Sequence, residues 1–251
     1  MKTTQRGGGR LPTFAAGLAL LALLLGALLV AGAGPAYRLE LFTLGEAFTT
    51  LRFGVYVTIG AAAIGLVALL IAAISRRKAP ALLSGLAILG AIALLSVPWQ
   101  HWQRAQAVPP IHDITTDTRD PPAFEALAQA REEAPNAVDY PGEATARQQR
   151  QAYPDVEPLV VQASMEAVLA AAQAEIENAG WELAAVTDDK IEATATTAWF
   201  GFQDDVVIRL TQTDDGVRVD MRSASRIGRS DVGTNAARIK TFLERLEERL
   251  A

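Results

Sequence analysis

The chain has 251 residues, of which 50% are hydrophobic, 23 are Lys or Arg, 28 are Asp or Glu and none is Cys. The lack of Cys excludes disulfides, thiolate nucleophiles and thiolate metal sites. Residues 1–97 carry eight basic against two acidic residues, a net of +6, while residues 98–251 carry 15 against 26, a net of −11; the acidic part argues against nucleic-acid binding, which needs a basic surface to meet phosphate.

Three apolar runs are long enough to cross a bilayer, which takes about 20 residues in a helix. They are Leu11–Ala33, roughly Phe53–Ile74, and the shorter Ala79–Val97. The first has a basic start and an Ala31-Gly32-Ala33 tripeptide, as a cleavable signal has. Its apolar stretch exceeds the roughly 7–15 residues of a signal core, so a retained helix is expected. Basic residues mark cytoplasmic ends. Lys2, Arg6 and Arg10 therefore place the tail 1–10 inside, and Arg76, Arg77 and Lys78 place the turn between the second and third runs inside. The third run then carries everything after Val97 to the far side, periplasm or cell exterior, so the expected location is the inner membrane. Trp99, His101 and Trp102 fall where that run leaves the bilayer, a depth that suits aromatic rings with a polar edge. His101 reads as an exposed linker residue. No run contains an ionisable residue, so the helices read as a passive anchor and not as an ion path. Gly60, Gly65, Gly85 and Gly90 permit close helix approach, including self-association.

Residues 98–122 read as an irregular tether, because Pro109-Pro110 and Pro121-Pro122 interrupt any helix. Short helices are predicted at 122–133 and 143–151. Glu157–Ala163 is a strand candidate, and Ser164 caps a helix ending at Gly180. Trp181–Thr187, Ile191–Ala198, Asp205–Thr211 and Val217–Ser223 read as strands, with Asp214-Asp215-Gly216 as a hairpin turn. Ser230 begins a last helix whose apolar stripe runs from Val232 to Leu250. The 98–251 region is thus expected to be an α+β domain: an antiparallel sheet of about four to five strands, helices on one face. The other face carries Glu192, Thr194, Thr196, Arg209, Arg218, Asp220 and Arg222.

Phosphate-loop, dinucleotide, serine-elbow and zinc-helix signatures are missing, and there are only two His. No cofactor is expected. The densest unusual feature is the run Arg222–Asp231. Arg222, Arg226 and Arg229, with Ser230 and Asp231, precede a helix start, whose free N–H groups favour an anion. The competing reading is an internal network in which these arginines pair with Asp204, Asp205, Asp220 and Asp231. His112, Asp113, Asp117, Asp204 and Asp205 have oxygen and imidazole donors but no ligand spacing, and read as turn and cap residues. Trp199, Phe200 and Phe202 surround Gly201, either as a docking loop or folded on the core.

The stretches PPIHDITTDTRDPPAF (109–124), EATATTAWFGFQDDVVIRL (192–210) and RVDMRSASRIGRSDVGTNAARI (218–239) together resemble the bacterial family called domain of unknown function 1499. The resemblance runs from about residue 105 to the C-terminus. It implies no activity or cofactor. It does imply that Ile111–Asp120 belongs to the domain, and it marks His112, Asp113, Asp117, Asp204, Asp205 and Asn235 as motif positions. The expected role is a membrane-anchored envelope domain that binds a partner or an anionic ligand. A metal-assisted hydrolase using the Asp/Arg cluster and a structural subunit of an envelope complex are the alternatives.

Overall fold

Three helices open the chain: α1 (Leu11–Arg38), α2 (Leu44–Ile74) and α3 (Lys78–Ala107). The structure is a computed structural model and describes residues 10–251; Lys2 and Arg6 lie outside the described residues. All three helices are long and apolar enough to cross a membrane, and the chain is a membrane protein. Each extends beyond its apolar run. At the start of α2, Thr43 Oγ1 accepts from Glu46 N, and the Glu46 carboxylate accepts from Thr43 N at 2.8 Å, a reciprocal cap that starts the helix nine residues before Phe53. Pro98 lies inside α3, which ends only at Ala107, just ahead of Pro109-Pro110. The tether is therefore helical for its first ten residues.

The chain divides into two units: one running to Trp102 with Trp199–Gly201, the other Gln103–Ala198 with Phe202–Ala251. In the first, α1 and α2 touch closely because Gly54 is small: a Cβ there would stand 2.9 Å from Leu29 Cβ and Val30 N. Gly65 and Gly90 also face neighbouring helices, whereas nothing lies within 4 Å of a Cβ at Gly60 or Gly85. Trp199 Nε1 donates to Ala31 O at 3.1 Å, and Phe200 stacks on Phe48 with ring centroids 5.4 Å apart.

The second unit is α+β, as expected, but its antiparallel sheet has six strands. They are β1 (Asp113–Thr115), β2 (Leu159–Val161), β3 (Glu182–Val186), β4 (Lys190–Thr196), β5 (Gln203–Thr213) and β6 (Gly216–Ser225). The order is β1-β6-β5-β4-β3, with β2 also on β6. The one strand not expected is β1; β2 lies within the predicted Glu157–Ala163, and both are three residues long and lie on the same edge of β6. Alternation holds in the longer strands. Ile191 and Ala193 of β4, Val206, Ile208 and Leu210 of β5, and Val217, Val219 and Met221 of β6 form one core. Helices α6 (Met165–Asn178) and α7 (Thr234–Leu250) cover it with Val168, Ala172, Ile176, Ile239, Phe242 and Leu246. Ser164 caps α6, accepting from Ala167 N at 3.2 Å.

The polar sheet face is not left to solvent. Residues 116–140, including the short helix α4 (Ala128–Glu132), cross it as a strap. Glu192 accepts three backbone N–H groups of the strap, from Glu125, Ala126 and Leu127, at 2.8–3.1 Å. Beyond β1 lies α5 (Glu143–Ala152). Its Gln149 side chain donates to Thr115 O and accepts from Thr115 N, taking the place of a neighbouring strand at that edge.

Candidate functional site

The Arg222–Asp231 run leaves β6 and enters α7. Arg222 is on the polar face and meets Asp113 across the β1–β6 pair. Its Nε and Nη2 donate to both Asp113 oxygens at 3.0 and 2.8 Å, while Nη1 and Nη2 also donate to Pro122 O and Val138 O. Both side chains are at most 3% exposed. Arg226 makes the same kind of pairing with Asp205, and adds Gln203 Oε1 at 2.8 Å. Arg131, from the strap, donates to Asp205 Oδ2 at 3.1 Å and to Ala224 O. Its guanidinium is fully buried, and that burial pushes its pKa down against the pull of Asp205. Phe124 lies between two cations: the Arg131 and Arg222 guanidinium carbons are each 4.7 Å from its ring centroid. Tyr140 borders the same group. Burial, with the Asp113 charge adding to it, pushes its hydroxyl up to about 12.

Two carboxylates therefore hold three arginines between sheet and strap, so an external anion meeting Arg222 or Arg226 must displace Asp113 or Asp205. Only Arg229 of the three loop arginines is exposed with no hydrogen bond or ion pair among the described residues.

The start of α7 is likewise filled from within. The helix begins at Thr234 with Gly233 (φ +79°) as its N-cap, not at Ser230. Asp231 accepts from Gly233 N and Asn235 N at 2.8 and 2.7 Å, so its own carboxylate occupies the place of an anion at the helix start. Burial raises the Asp231 pKa, and those two N–H bonds oppose it. Ser230 Oγ accepts from Val232 N. Val232 has φ +55°, a strained value for a β-branched residue, which the flanking bonds maintain. Asn235 donates to His112 O and Ser225 Oγ, and accepts from Ser223 Oγ. Of the motif positions, His112 and Asn235 thus meet, as part of a brace joining the start of β1, β6 and α7.

Asp204 and Asp205 are neighbours on a strand, so they point to opposite faces. Asp204 pairs with Arg238 of α7 at 2.6 Å, whereas Asp205 faces the strap. One ion cannot be held by both in this arrangement. Among the described residues no three His, Asp or Glu are grouped to hold a metal. His112 Nδ1 is buried without a hydrogen-bond partner. Asp117 pairs with Arg218 and Arg209. Burial works to raise its pKa, but the N–H bonds from Asp120 and Arg119 and those two charges prevail and hold it low. Trp199 and Phe202 are half-buried and Phe200 is buried.

Sequence reasoning missed Arg131, Phe124 and Gln149. Arg131 and Gln149 lie in Ala-, Gln- and Glu-rich segments whose composition resembles any solvated helix; only the surplus of buried Asp opposite them required partners.

No curated protein matches the sequence. The family model described as "Protein of unknown function (DUF1499)" matches residues 113–246, from the first residue of β1 into the last turns of α7. It takes in the whole sheet and its brace, and with more than half of the chain matched, this protein belongs to the DUF1499 family.

Proposed function

We propose that this is a membrane-anchored binding protein of the bacterial cell envelope. Its DUF1499 domain stands on the far side of the inner membrane and takes an anionic ligand or a protein partner. The observation that carries the binding reading is Arg229, exposed ahead of α7 with no hydrogen bond or ion pair among the described residues, on a loop whose other arginines, with Arg131, are paired internally. Side chains so engaged act as a frame for a surface, whereas a hydrolytic centre needs a free acid–base or metal-holding set. The sidedness rests on the turn between α2 and α3, which contains Arg76 and Arg77 and leads into Lys78. The α1–α2 turn, residues 39–43, holds no basic residue and one Glu.

The natural absence of Cys makes the placement directly testable. Single Cys residues are introduced as Ser75→Cys, beside the basic turn, and Asp214→Cys, in the β5–β6 turn. A membrane-impermeant maleimide applied to cells with a permeable outer layer is expected to label Asp214→Cys and spare Ser75→Cys; the reverse pattern overturns the placement. The binding arm is read on the full chain in lipid nanodiscs as a rise in thermal midpoint, since any ligand of the folded state stabilises it by mass action. A panel of small carboxylates, phosphates and sulfonates that leaves the midpoint unmoved removes the small-anion reading.

A further inference from the structure

On the helix face of the sheet a cleft of about 290 Å³ opens between the end of α6, the start of β3 and α7. It lies on the opposite face from the arginine network. Its origin is local. Along α7, Thr234, Ala237 and Thr241 succeed one another at three- and four-residue spacing, and small side chains there leave a notch. Ala179, at the turn ending α6, is also small. The half-buried Trp181 lines the cleft and stacks on Phe242, with ring centroids 5.5 Å apart and planes 22° from parallel. The cleft thus has an aromatic side, supplied by Trp181.

Its charges are unequal. Arg238 has its guanidinium carbon 6.0 Å from the Trp181 ring centroid, and is already paired with Asp204. Glu175 is paired with Arg249. Arg245, on the lining, is exposed and has no carboxylate partner among the described residues. With the other two ions neutralised, one free cation stands at an apolar, aromatic-walled notch. A volume near 300 Å³ is at the small end of ligand sites, suited to a body of one or two rings.

We propose that this cleft binds a small, flat, apolar molecule bearing one carboxylate. The ring body lies against Trp181, which the buried Phe242 backs from the core, and the carboxylate is taken by the fork of Arg245. This rests on the reading of the domain as a binding module and names its ligand class and site.

The test uses the full chain in lipid nanodiscs with 4-fluoro-1-naphthoate as the probe, read by ¹⁹F line broadening against empty nanodiscs. The uncharged comparator is 4-fluoro-1-naphthalenemethanol. Ala237→Leu fills the notch and is expected to weaken binding about tenfold or more, as loss of a buried apolar contact site does. Thr241→Leu narrows the same notch from the rim and is the second variant if Ala237→Leu does not fold. Arg245→Gln is expected to weaken the naphthoate roughly three- to tenfold and leave the alcohol unchanged, while Arg245→Lys retains part of the difference. Absence of naphthoate binding, or binding undiminished in both notch variants, overturns the cleft. Equal affinity for acid and alcohol overturns the role of Arg245. Absence of naphthoate binding together with a thermal rise with other anions sinks the cleft and leaves the binding module standing, whereas labelling of Ser75→Cys from outside sinks the placement and leaves the cleft untouched.

Discussion

Arg222 and Asp113 show how a single residue can resemble a ligand site and act as a structural tie. Each is buried, and each satisfies the other with two hydrogen bonds. Removing one partner strands a charge in a dry site, which costs about 3–5 kcal/mol. Arg222→Ala or Asp113→Ala is therefore expected to lower the thermal midpoint of the full chain strongly. The double replacement Arg222→Met with Asp113→Leu is expected to lower it much less, because no unpaired charge remains. Equal loss in single and double variants would show that packing, not charge pairing, is what matters. Asp117 gives a pH signature of definite sign. Its folded pKa is depressed below the ordinary 3.8, so the stabilisation is fully present above that value and is lost as pH falls through the folded one. Melts between pH 5 and 2 are expected to fall less steeply for Asp117→Asn than for the parent chain.

Among the elements, those with long alternation or an amphipathic stripe were legible. β4, β5, β6, α6 and the capped start of α6 lie within a few residues of their sequence reading, because side-chain period and cap chemistry are local properties. β1 and most of the strap were not. A three-residue strand has no period, and the strap's order comes from partners more than 60 residues away in sequence. The start of α7 was misplaced for a similar reason: Ser230 has the chemistry of a cap, but Asp231 is the residue that reaches the first N–H groups. Glu192 and Gln149 are two of the side chains that hold the non-periodic elements to the sheet. Glu192→Ala deprives the amides of Glu125, Ala126 and Leu127 of their acceptor, so their hydrogen exchange is expected to accelerate. Gln149→Ala is expected to do the same for Thr115, and unchanged protection at these amides would place the strap's anchoring elsewhere.

For the whole molecule, the partition into anchor and acidic domain was legible in charge and hydropathy alone, because bilayer thickness sets the length of an apolar helix. The site was legible only as a choice. The run Arg222–Asp231 is compatible with an open anion site or a closed network, and the deciding residue, Arg131, carries no sequence mark. The Trp181 cleft was not legible at all, since it arises from small residues on one helix facing an aromatic on another segment.

The order β1-β6-β5-β4-β3 sets a sequence of events in time. Asp113 is made early and waits 109 residues for Arg222. During synthesis the three helices are complete while the sheet still lacks the strand that β1 and β2 both require. The domain therefore cannot close progressively behind the anchor; it closes in one late step, once β6 is available. A chain ended after Asp215 is expected to keep its helices protected from protease while residues 108–215 are degraded, and extension through Ser225 is the first length at which β1 can gain protection.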